Sequence, residues 1–359
     1  MRIAWLILLV VFTSNWGFAQ NPKYELNSEE NENIFLIGES HFVKEKFDEI
    51  KSLYIEKISE LKKGDKVTFF FELPYSLNYA FSQIKENNDT TLFSQWFSHL
   101  YHLKDEKATS FWLDYKSMII DLLNISKAKE IDIDLCAIDT EVKLRRTVFI
   151  LSNIVDNPQM DSLLAENEIE NSEANKSILI DNIDSLLLFV DDEKIRHLLM
   201  NIKRGLSVKY LICKERDAFM HEMFVENFKA ESSLNFVFVG LSHAVSKHDF
   251  TDAGIFYALK YIDDAEGYMS FYDMLDSDMK RKTYRVGILA LNHVLTGGSF
   301  SAPKYYKNIM TKKERLFLEN NIQEDGVYRG VTRNTKKLRK LSKHLDYIII
   351  YHSSGYKSD

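Results

Sequence analysis

Four side chains suited to proton transfer stand just past apolar runs of this chain: Glu39, His41, Glu72 and His243. A carboxylate beside an imidazole orients the ring and raises its basicity. An imidazole titrating near ambient pH can then take a proton from water or a hydroxyl. Glu39-Ser40-His41 offers that pair within three residues. Glu72 follows Phe69, Phe70 and Phe71. A carboxyl desolvated by such neighbours is expected to titrate high, which suits acid or base work, and Arg216 is its expected ion-pair partner. His243 follows Phe236 to Gly240, where the glycine is expected to let the chain turn tightly and approach a ligand. Asp139 and Glu141 follow a third apolar run, and His352 follows the last. Each residue also has a plainer reading: Glu39 as a helix cap, His41 as a turn residue, His243 as a satisfied histidine at a strand end. Their recurrence at equivalent places favours chemistry.

Such recurrence requires strands that end together. Ile34 to Ile37 reads as a buried strand closed by Gly38. Lys44 to Lys63 carries apolar residues three and four apart, which predicts a helix closed by Gly64. Val67 to Phe71 is a second strand, so a β-α-β unit with parallel strands follows. Further strands are predicted at 133–138, 235–239, 284–291 and 346–351, and helices at 77–85, 111–128, 207–228 and 251–262. Residues 145–209 are charged, with Leu and Ile at helical spacing, and predict an inserted helical subdomain within an α/β domain spanning 34–359. Residues 301–344 read as solvated helix and loop. The predicted fold is therefore α/β: a mostly parallel central sheet with helices on both faces. Parallel strands share one C-terminal edge, where ligands gather.

Composition narrows the function. The chain has 359 residues, 45% of them hydrophobic, with a formal net charge of −7 and no basic footprint for nucleic acid. Phe (24) and Tyr (18) outnumber Gly (13) and Pro (4), which favours regular elements over loops. The GxSxG, GxGxxG, P-loop, HExxH and paired CxxC patterns do not occur, which removes the usual serine-hydrolase, dinucleotide, NTPase and zinc signatures. His41, Glu72 and His243 could still meet at one metal, so a divalent metal or haem stays open as cofactor. Residues 1–19 have the layout of a secretory signal peptide: Arg2, an apolar run from Ile3 to Phe12, and small Gly17 and Ala19 before a cut. They predict export to the periplasm or outside the cell, a flexible leader at 20–33, and no membrane span after cleavage. Export permits a disulfide, but Cys136 and Cys213 lie in strand-like and helical patterns and read as buried free thiols.

Several segments, in order, resemble the erythromycin-esterase-like family. Gly38-Glu39-Ser40-His41 is similar to its opening strand and turn, where a Glu and a His are site residues. Phe70-Phe71-Glu72 resembles its strand ending in an acid, and Arg216-Asp217 with Met220 resembles its Arg-Asp helix. Ser242-His243 matches the end of its later His-containing turn, with Gly240 standing where that turn has its first His. The closing Asp346 to Ile350 resembles the family's last strand. The resemblance implies a hydrolase in which a His activates water against an ester or lactone of a small molecule. Gathered at the strand ends, His41 is the expected base on water, Glu39 orients it, Glu72 holds a second proton or positions His243, and His243 and Arg216 face the oxyanion. The wider fold group implies the alternative, a haem- or metal-binding protein without turnover.

Overall fold

The structure, a computed structural model, describes residues 28–29, 31–39, 43, 45–98, 106–141, 144–154, 172–208, 213–246, 269–291, 310–333 and 335–352. Seven strands form one sheet: β1 (Ile34–Glu39), β2 (Lys66–Pro74), β3 (Asp132–Asp139), β4 (Leu234–Gly240), β5 (Thr283–Ala290), β6 (Val327–Val331) and β7 (Tyr347–Tyr351), in the order β3-β2-β4-β1-β5-β7-β6. All neighbours are parallel except β6 with β7. The continuous apolar runs explain this. A parallel strand is covered on both faces, so its sequence loses the alternation of a half-exposed strand. All of β1, β4, β5 and β7 is buried.

One face is covered by α1 (Lys46–Ile58), α2 (Asn78–Asn87), α3 (Thr91–Ser98) and α4 (Glu106–Ala128). Its core is aromatic: Phe69 and Phe236 stack at 5.5 Å, Phe71 and Phe238 at 5.2 Å. Helix α5 (Leu144–Ile154) contributes side chains to the cores of both faces, and the opposite face is covered by α6 (Glu173–Leu187), α7 (Glu193–Ser207) and α8 (Cys213–Asn227). Leu179, Ile183, Leu199 and Ile202 join Leu36, Phe70 and Val237 of the sheet in one core. Helices α6 and α7 of the 145–209 stretch thus pack directly on the sheet. Short helices α9 (Leu241–Ala244), α10 (Phe271–Met274) and α11 (Ser277–Arg281) lie between β4 and β5, and α12 (Lys312–Glu319) precedes β6.

Three sequence readings need adjustment. The helix predicted over 207–228 is shorter: α7 ends at Ser207, Val208 is extended at φ −71°, ψ 131°, and α8 spans Cys213–Asn227. The 301–344 stretch contains β6, an antiparallel edge strand. Thr91–Ser98 adds a helix that the periodicity did not separate. The predicted helix over 251–262 lies outside the described residues, as do the signal segment and most of the leader. No helix among the described residues is long and apolar enough to cross a membrane. Cys136 is a buried free thiol, while the side chain of Cys213 lies outside the described residues.

Candidate active site at the strand ends

The C-terminal edge of the sheet gathers charge from strand tips and from the first turns of the helices that meet it. Glu39 is the last residue of β1, and Lys46 opens α1 immediately beyond. Glu72 lies in β2 and Asp139 ends β3. Helix α8 contributes Arg216 and Asp217 from its N-terminal part, and α9 contributes His243 directly after β4. Close packing of α9 on β1 depends on Gly38: a Cβ there would sit 2.5 Å from the Cβ of Ala244 and 3.3 Å from the Cα of Leu241. Any larger residue would push away the helix that carries His243.

Glu72 is the pivot. Strand alternation turns it away from Phe69 and Phe71, the neighbours expected to desolvate it. It pairs with Arg216 Nη2, and its other oxygen accepts the Gly240 N–H at 2.5 Å. Arg216 also holds Asp139 in a fork, Nε to Oδ1 at 2.8 Å and Nη2 to Oδ2 at 2.6 Å. Glu72 Oε1 stands 3.6 Å from His243 Nε2, and His243 Nδ1 faces Asp217 in a close ion pair. The Arg216–Glu72 pair expected from sequence is present. Gly240 needs no special backbone freedom, since φ −58°, ψ 148° suits any residue. What it supplies is the N–H.

On the other side of the strand tips, Glu39 Oε2 lies 2.6 Å from Lys46 Nζ. Lys46 is fully buried, with its ammonium 4.6 Å from the centroid of Phe111 and 5.0 Å from that of Phe47. Burial lowers its pKa, against the pull of Glu39 and then Glu72. The Tyr115 phenol is pushed well above its ordinary range by burial and by Glu39, Glu72 and Asp139. Both halves therefore share one electrostatic field centred on Glu72. Sequence reasoning passed over Lys46, which looks like any lysine of a charged helix. It quoted Asp217 only as part of a motif. His41 and the neighbouring turn lie outside the described residues. His352 is exposed beyond β7 and is not among these side chains.

His243 is held as an imidazolium. Burial works against its charge, but the carboxylates of Asp217 and Glu72 outweigh burial and push the pKa up to about 10. That value is above the ordinary 6.5, so the stabilisation from charged His243 is whole below pH 6.5 and is lost as the pH rises through about 10. The urea midpoint of the wild type should fall across this window more steeply than that of His243→Asn. Parallel profiles would mean that His243 is neutral in the fold.

Comparison with protein-family models and with curated proteins gives no match. Among solved structures, a Bacillus cereus protein is similar over 91% of each chain, with 11% identity and a TM-score of 0.51. ChaN of Campylobacter jejuni, whose structure shows cofacial haem binding, aligns over 89% of this chain and 88% of its own, at 12% identity and a TM-score of 0.31. What the chain shares with the Bacillus cereus protein is the fold: a mixed α/β domain on a mostly parallel sheet.

Proposed function

We propose that the protein is an exported hydrolase that opens an ester or lactone bond of a small molecule with His-activated water. One observation supports this above the others: seven ionisable side chains, Glu39, Lys46, Glu72, Asp139, Arg216, Asp217 and His243, crowd the C-terminal edge of the sheet, none with a side chain more than 14% exposed. Buried ion pairs seldom stabilise a fold more than apolar residues of the same volume would. Their concentration at the ligand-binding edge of a parallel sheet points to chemistry instead. The sequence resemblance to erythromycin-esterase-like proteins fits this reading.

In this reading His41 takes a proton from water, and the water oxygen bonds to the carbonyl carbon. His243 and Arg216 supply positive charge where the oxyanion develops. His243, whose pKa Asp217 and Glu72 raise, takes the cationic role rather than that of base. Glu72 holds the two cations in place, and the proton taken by His41 passes to the departing alkoxide. The protein should cleave some members of a panel of aryl esters and lactones, and His41→Ala should lower kcat/KM by about a hundredfold or more. Unchanged turnover by His41→Ala on every cleaved substrate would remove His41 from this role.

Haem or metal binding without turnover finds less support. Both ring nitrogens of His243 face carboxylates, Nδ1 to Asp217 and Nε2 to Glu72. No three His, Cys, Asp or Glu side chains among the described residues are grouped to hold a metal ion. The described residues at this edge do not fit such a group.

A further inference from the structure

Arg146 opens a second question at the same edge. It lies in the first turn of α5, just beyond β3, and is 4% exposed. Two other arginines packed at the sheet are matched to acids: the half-buried Arg216 to Glu72 and Asp139, and the buried Arg285 to Asp346. Arg146 has no ion pair or hydrogen bond among the described residues. Its guanidinium carbon lies instead over the Trp96 ring at 4.6 Å and the Trp112 ring at 4.8 Å. The acid that favours its charge is Glu141, but Glu141 accepts from Ser76 N at 2.7 Å, Ser76 Oγ at 2.9 Å and Thr147 Oγ1 at 2.6 Å. Burial lowers the Arg146 pKa to about 9, with Glu141 opposing only in part.

A second, separate observation points the same way. The indole N–H of Trp96 is buried without a hydrogen-bond partner among the described residues. A lone buried donor is costly, and here it belongs to a ring stacked on an unmatched cation. Guanidinium and indole carry donors only, so what the pair lacks is an acceptor bearing negative charge. Rings over a guanidinium leave its in-plane N–H groups as the bonding edge, which suits the paired oxygens of an oxyanion. The place is next to the candidate site: Trp112 meets Tyr115 at 5.9 Å between centroids, and Tyr115 senses Glu39, Glu72 and Asp139.

We infer that Arg146 and the Trp96 N–H form an oxyanion-binding subsite that takes a carboxylate or phosphate group of the substrate. The word substrate rests on the hydrolytic reading above; the anion site does not. Its occupancy can be read without turnover. The chain has four tryptophans, Trp5, Trp16, Trp96 and Trp112. With Trp5 and Trp16 replaced by Phe in the full chain, emission comes only from the two rings that contact Arg146. At constant ionic strength, inorganic phosphate or acetate should change that emission saturably, and chloride should not. Arg146→Met should raise the half-saturating concentration at least tenfold. Arg146→Lys, which keeps charge but loses the fork, should fall between. Trp96→Phe, read through Trp112, should weaken binding several-fold, and this variant with Arg146→Lys carries the test should Arg146→Met fail to fold. No saturable response to either oxyanion, or a response that Arg146→Met leaves unchanged, would overturn the subsite. Saturable binding in a protein that cleaves no ester would keep the subsite and remove the hydrolytic reading.

Discussion

Replacing Arg216 with Met should lower the unfolding free energy by about 3–5 kcal/mol, the range expected when one member of a buried charge network is removed. Arg216 is the single cation between two carboxylates, with Glu72 on one side and Asp139 forked on the other. Met fills much of the volume and leaves both acids without that cation, at a place where water cannot fully replace it. His243 stands 3.6 Å from Glu72 and is already committed to Asp217, so it cannot serve Asp139 as well. Arg216→Lys restores the charge but not the planar fork, and should recover only part of the loss. Urea denaturation at pH 7 checks both variants. Because the penalty is electrostatic, lowering the pH to protonate the stranded acids should narrow the gap between Arg216→Met and wild type. A variant within about 0.5 kcal/mol of wild type, the usual range for a surface change, would mean that Glu72 and Asp139 are solvated in the fold.

The strands that make this network were legible in the sequence for a simple reason. A parallel strand buried on both faces is an unbroken apolar run, and Ile34 to Ile37, Phe236 to Val239 and Ile348 to Ile350 announce themselves. The edge strand Val327–Val331 does not, since Arg329 and Gly330 interrupt it and its partners lie outside the local window. Site residues followed the same rule. Glu39, Glu72, Asp139 and His243 could be found because each terminates an apolar run. Lys46 could not, because a lysine three residues from Glu49 and two from Asp48 has the signature of a solvated helix face. Only the fold shows that the first turn of α1 closes over the tip of β1 and buries it. Asp217 is a middle case. Residues i and i+1 of a helix point about 100° apart, and in the structure Arg216 meets Glu72 and Asp139 while Asp217 meets His243. Arg146 was hidden in a basic pair, Arg145-Arg146, that reads as solvent-facing until two tryptophans are seen against it.

Glu72→Gln should lower kcat by about 10²–10³-fold with a smaller effect on KM, while the protein stays folded. The carboxylate meets three donors: Arg216 Nη2, the Gly240 N–H at 2.5 Å and His243 Nε2 at 3.6 Å. A carboxamide has one acceptor oxygen, and its NH2 must then point a donor at a donor on the other side. Arg216 retains Asp139, which is why folding survives while alignment at the reacting carbonyl does not. The charge change has a second consequence that a purely steric role would not produce. Glu72 is one of two carboxylates that hold His243 protonated up to about pH 10. Without it, desolvation meets Asp217 alone, and the His243 pKa must fall. If the imidazolium is the form that supports turnover, the alkaline limb of the kcat profile moves to lower pH in Glu72→Gln. Glu72→Asp keeps the charge, so the limb should lie nearer its wild-type position even though the shorter side chain loses rate. A kcat within twofold of wild type, or an unmoved alkaline limb alongside a large rate loss, would separate Glu72 from His243 and leave it as a structural anchor for Arg216.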